Sequence, residues 1–106
     1  MRTIKSKGDF EKVFSQGKRL SDPLVRIRVA QSDEASPGRV AFVAPKRIGN
    51  AVFRNRCKRV LREAARMCDL PKDGFDVILL ATERTHDSSP SEVAVSLRKL
   101  LGRAGV

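Results

Sequence analysis

A chain of 106 residues with 41% hydrophobic side chains has enough apolar material for one modest core, so one domain over residues 1–106 is expected. Its 22 Lys+Arg against 12 Asp+Glu leave a formal charge of +10, which implies a polyanionic partner. The longest apolar run, residues 77–81, falls far short of the ~20 residues a spanning helix needs, and neither an apolar segment nor a cleavage site follows the basic start, so no membrane association and a cytoplasmic location are expected.

Asp9 is a suitable N-cap, Phe10, Val13 and Phe14 follow at i, i+3, i+4 spacing, and Gly17 supplies a stop, which predicts a short helix over residues 9–16. Its two phenylalanines read either as plain core or as a partly open apolar edge. A short edge strand fits residues 18–20. In residues 24–30, Val25, Ile27 and Val29 alternate with Arg26 and Arg28, the pattern of a strand with one buried face and one cationic face. Residues 31–38 are polar, contain Pro37-Gly38 and predict a turn or loop. The next strand, residues 39–44, is expected to pair antiparallel with residues 24–30.

Residues 46–50 form a basic, glycine-containing connection, and Asn50 can cap a long helix running to about Met67. At about 100° per residue, Phe53, Cys57, Val60, Leu61, Ala64 and Cys68 gather on one side of it. Arg54, Lys58, Arg59, Arg62 and Arg66 gather opposite. Like charges at i, i+4, as in Arg54, Lys58 and Arg62, cost a helix stability unless an anion neutralises them, which favours a nucleic-acid face over simple solvation. Residues 75–81 are nearly continuously apolar and predict a central or parallel strand covered on both faces. Ser89, Pro90 and Glu92 combine an N-cap, a first-turn proline and a capping-box acid, which starts a last helix over residues 90–101.

Phosphodiester hydrolysis by side chains would want a His pair, a carboxylate cluster for metals or a poised acid and base, and the chain has one histidine, His86, and scattered acids. Asp9 and Glu92 read as caps, Asp73 as a turn residue and Glu63 as an ion-pair partner of Arg59 or Arg66. Cys57 and Cys68, about 16 Å apart along one helix, cannot bridge and read as small buried hydrophobes. No catalytic residue and no metal ligand is expected in this chain.

The element order is helix, strand, strand, strand, helix, strand, helix: an α+β fold, a small two-layer sandwich on a mixed β-sheet. Two helices would cover one side. The other, carrying Arg26 and Arg28, would be open or covered only by the short first helix, a shallow cationic trough edged by Phe10 and Phe14 where an unstacked strand could lie.

Several motifs resemble the protein subunit of bacterial ribonuclease P over nearly the whole chain. They are Asp9-Phe10-x-x-Val13-Phe14-x-x-Gly17, then Lys46-Arg47-Ile48-Gly49-Asn50-Ala51-Val52-x-Arg54-Asn55-Arg56-x-Lys58-Arg59-x-x-Arg62-Glu63, then Gly74-Phe75-Asp76-Val77. The resemblance implies the fold of the second domain of a small-subunit ribosomal protein, with an uncommon left-handed β-α-β crossover that the usual rule would not suggest. It implies an accessory protein in an endonuclease whose RNA is the catalyst and which removes the 5′ leader of precursor tRNA. Mg2+ would enter through that RNA, and no protein partner would be required.

Carried over, Arg54, Asn55, Arg56, Lys58, Arg59 and Arg62 would form the catalytic-RNA face, joined by Lys46 and Arg66 of the same basic run. Phe10, Phe14, Arg28, Val43 and Arg47 would border the leader trough, with Arg26 beside them. Related proteins often place an aromatic ring on the trough strand. This chain has Arg28 there and no Tyr or Trp, so a more electrostatic leader contact is expected. The rival readings are a ribosome-associated or other structural RNA-binding domain, a self-sufficient nuclease and a duplex-DNA binder.

Overall fold

The computed structural model describes residues 1–32 and 36–106. The elements follow in the order α1 (Lys7–Gln16), β1 (Lys18–Asp22), β2 (Val25–Gln31), β3 (Arg39–Val43), a 3-10 turn (Lys46–Ile48), α2 (Ala51–Met67), β4 (Phe75–Ala81) and α3 (Pro90–Ala104). The expected turn over residues 31–38 lies partly outside the described residues.

The strands form one sheet in the order β1-β2-β4-β3. β4 pairs antiparallel with β2, setting Ile27 opposite Leu79, and parallel with β3, setting Val40 opposite Val77. The antiparallel pairing expected between residues 24–30 and 39–44 is therefore wrong: β4 lies between those strands. Val77, Ile78 and Leu79 are at most 1% exposed, and a strand buried on both faces needs a neighbour along each edge to satisfy its backbone groups. The edge strand expected at residues 18–20 is present and extends to Asp22.

Register sorts the side chains. Val25, Ile27, Val29, Val40, Val77, Leu79 and Ala81 face α2 and α3 and share one core with Cys57, Leu61, Leu97 and Leu100. Full burial of each large member contributes about 1.5–3 kcal/mol. The opposite face carries Arg26, Arg28, Asp76, Ile78, Leu80, Arg39 and Val43, and α1 lies on it against β2 and β4, with Val13 and Ile78 buried there.

Local chemistry fixes the ends. Ser6, not Asp9, caps α1, accepting from the Asp9 N–H; the helix starts earlier than expected, which releases the Asp9 carboxylate for another partner. A Cβ at Gly17 would stand 2.4 Å from the Val13 carbonyl and 3.2 Å from that of Val29, so only glycine lets the end of α1 approach β2 this closely. Asn50 caps α2 through the Phe53 N–H at 2.9 Å. α2 ends where Asp69 turns left-handed and the Leu70 N–H reaches back to the Ala65 carbonyl. Ser89 and Glu92 form the expected capping box, and α3 continues past residue 101 to Ala104.

Candidate nucleic-acid interface

The apolar side of α2 is buried, with Cys57, Leu61, Ala64 and Ala65 at 0% exposure, which forces its cations outward. Asn55, Arg59, Arg62 and Arg66 form the exposed crest, and Lys46 is exposed on the turn before the helix. The flanks are more constrained. Arg54 is half-buried and its Nε donates to the Ala44 carbonyl at 3.1 Å, tying α2 to the end of β3. Lys58, also half-buried, shares that flank, where the Arg62 guanidinium lies 5.2 Å from the Phe42 ring centre. On the other flank Arg56 Nε donates to the His86 carbonyl at 3.2 Å. Arg66 pairs with Glu63 at 3.2 Å, one of the two partners expected for that acid.

His86 is stacked flat on Phe53, with ring centres 4.1 Å apart. That contact, across 33 positions of sequence, draws the loop before α3 against the start of α2. Cys57 and Cys68 are buried and unpaired, as expected, and burial pushes both thiols up from their ordinary pKa.

The second feature is a groove of 370 Å³ between the C-terminal end of α1 and the sheet, lined in part by Phe14, Arg19, Ser21, Arg26, Arg28, Arg47 and Leu80. Four of the six residues expected to border the trough, Phe14, Arg26, Arg28 and Arg47, thus meet in one place. Phe10 stands behind Phe14, ring centres 5.9 Å apart, and Val43 faces the same side opposite Leu80; neither lines the groove itself. The trough strand does lack an aromatic residue, but α1 supplies one: the Arg28 guanidinium lies 4.1 Å from the Phe14 ring centre and donates to the Phe14 carbonyl. Partial burial, then the charges of Arg19 and Arg26, pull the Arg28 pKa below its ordinary value. A cation crowded in this way is relieved by an arriving phosphate.

Three contributors carried no local signal. Arg84 and Thr82 lie beyond β4, where a polar hollow of 610 Å³ shares Ser21, Arg26 and Arg47 with the groove and extends it along the Pro23 turn. Arg39, read from sequence only as the start of a strand, joins α1 to the sheet. Its Nε and Nη2 bond the two Asp76 oxygens at 3.1 and 2.8 Å, and its Nη1 bonds Asp9 at 2.9 Å.

A basic helix crest and an arginine-lined groove on the other side of the sheet suit a polyanion, and the family model for Ribonuclease P matches residues 1–105. The chain belongs to the ribonuclease P protein family. The ribonuclease P protein component of Gluconacetobacter diazotrophicus is 34% identical over 105 residues, covering 97% of this chain and 90% of that one. That of Symbiobacterium thermophilum is 32% identical over 104 residues, covering 97% and 90%. Among solved structures, the RNase P protein of Staphylococcus aureus superposes with a TM-score of 0.80 at 25% identity, covering 98% of this chain and 95% of that one. The Thermotoga maritima RNase P protein, at 23% identity, TM-score 0.78 and 97% coverage of each chain, shares the fold.

Ribonuclease P is an RNA-processing endoribonuclease, and this chain is its protein component. RNA is thereby its partner, and the reading as a ribosome-associated domain is not favoured.

Proposed function

We propose that this protein binds the catalytic RNA of ribonuclease P through the α2 crest and holds the 5′ leader of precursor tRNA in the groove beside α1. The carrying observation is the separation of two cationic surfaces, Asn55, Arg59, Arg62 and Arg66 on one and Arg26, Arg28 and Arg47 on the other. Arginine suits both, since its planar fork bonds a phosphate bidentately and stacks on a base. On the RNA side Lys46, Arg54, Arg56 and Lys58 add charge at the margins of the crest. On the leader side Phe10 and Val43 support the groove from behind.

In this reading the protein contributes binding and orientation, and the RNA performs the cleavage. Mg2+ is assigned in this reading to the RNA, whose phosphate oxygens are the hard donors that cation prefers. No described helix is long and apolar enough to cross a membrane; the proposed location is the cytoplasm, where precursor tRNA is met.

Reconstitution tests this. Purified protein added to bacterial catalytic RNA at low magnesium should restore 5′ maturation of precursor tRNA; no stimulation, or cleavage by the protein without RNA, would reject the proposal. Arg59→Ala with Arg62→Ala should weaken assembly with the RNA, and Arg26→Ala with Arg47→Ala should weaken precursor capture. Identical effects of the two pairs would remove the two-surface reading.

A further inference from the structure

α1 forms one wall of the groove, yet it is a helix of 10 residues with a single fully buried side chain, Val13. With Val13 buried and Phe10 only half-buried, the packing holds so short a helix mainly near its middle, and its orientation is set by anchors at the two ends. At the C-terminal end Arg28 holds the Phe14 ring and carbonyl. At the N-terminal end Arg39 reaches up from β3 to Asp9 while gripping Asp76, which sits beside it in register on β4 and is 6% exposed. The anchors are about 7.5 Å apart along the helix axis, with Val13 between them.

We propose that Arg39 is a positioning residue for RNA binding: by bridging Asp76 of the sheet to Asp9 of α1, it sets the angle at which Phe14 and Arg28 meet the leader without touching it. The inference rests on the leader reading above. The Asp76 half of the bridge is bidentate and largely shielded, and a shielded, doubly bonded guanidinium has a fixed direction. The Asp9 half is half-open to solvent, so it orients α1 without being needed to hold the sheet together. Both carboxylates hold Arg39 firmly protonated, their hydrogen bonds raising its pKa well above the ordinary value.

The sign of one substitution separates positioning from plain electrostatics. Asp9 is an acid near a groove that receives a polyanion, so if charge alone mattered, Asp9→Ala would strengthen binding of the leader. Under the positioning role it weakens it. The experiment uses the reconstituted holoenzyme with wild type, Asp9→Ala and Asp9→Glu, and compares affinity for precursor tRNA with affinity for mature tRNA, which lacks the leader. Affinity for the catalytic RNA and the thermal midpoint are measured alongside. Asp9→Ala should cut the preference for precursor by about threefold, the scale of an ion pair half-open to solvent, with Asp9→Glu restoring most of it and RNA-subunit affinity unchanged. An undiminished or increased preference in Asp9→Ala would overturn the proposal, as would an equal loss of RNA-subunit affinity. If wild type itself shows no preference for precursor, the leader reading fails first, and Arg39 is left as a structural bridge.

Discussion

The Arg28 guanidinium lies 4.1 Å from the centre of the Phe14 ring, and the Phe10 ring stacks near Phe14 at 5.9 Å and 18°, so a strand cation and two helix aromatics form one column. The fold itself therefore orients Arg28. Phe14→Leu should release it and lower affinity for precursor tRNA two- to fivefold, equivalent to a cation–π contact of about 0.5–1 kcal/mol, with mature tRNA affected less. Equal losses for both substrates in a binding titration would show that the column does not meet the leader.

Assembly with the RNA should be strongly salt-dependent. If about six phosphates are neutralised, log K falls by about four per tenfold rise in salt. Arg59→Ala, on the crest, should flatten that slope by about 0.7. Arg54→Ala should act differently, lowering the thermal midpoint through loss of its bond to the Ala44 carbonyl, worth about 1 kcal/mol.

Gly49 lies under the Phe53 ring, and a Cβ there would come within 2.7 Å of it. Gly49→Ala should push Phe53 off His86 and destabilise the protein by about 1–3 kcal/mol. Combined with Phe53→Leu, the loss should be smaller than the sum of the single losses, because both changes act on one contact. Additive denaturation data would refute that coupling.

Acid should loosen the link between α3 and β1. Burial raises the Asp22 pKa, but the Leu24 N–H, Ser96 and Lys99 outweigh it, so the folded value lies below the unfolded one. Its stabilisation is full above an unfolded pKa of about 4 and is lost as pH falls through the lower folded value. Glu92 shifts the same way, through its bonds with Ser89. The thermal midpoint should drop below about pH 4, and Asp22→Asn should shrink that drop.

Periodicity made most elements legible, because α2, α3 and β2 each carry their burial pattern within a few residues of chain. The Asn50 cap and the Ser89–Glu92 capping box are local chemistry and formed as expected. Strand order was not legible. β2 and β3 flank a Pro-Gly turn and read as a hairpin, and the insertion of β4 between them depends on contacts more than thirty residues away in sequence.

The site divides along the same line. One helical period placed Arg59, Arg62 and Arg66 on the crest of α2 but also set Arg54 and Lys58 opposite the core, where the structure has them half-buried on a flank. The fixing of Arg54 and Arg56 could not be read, since their partners are carbonyls of other segments. Asp9 illustrates the difference: its position invited a cap, yet Ser6 fills that role and Arg39, thirty residues on, claims the carboxylate. Arg84 had no pattern around it and gained a place only when the end of β4 met the Pro23 turn.

The central strand is also the last of the four to be made. Residues 2–4 bond to Val40, but neither β2 nor β3 has its main partner until Phe75–Ala81 has left the ribosome. Until then the apolar side of the α2 segment lacks the sheet it packs on, and long-range pairing of this kind slows folding. A nascent chain stalled before Phe75 carries the cations of the α2 segment with no completed sheet to present them.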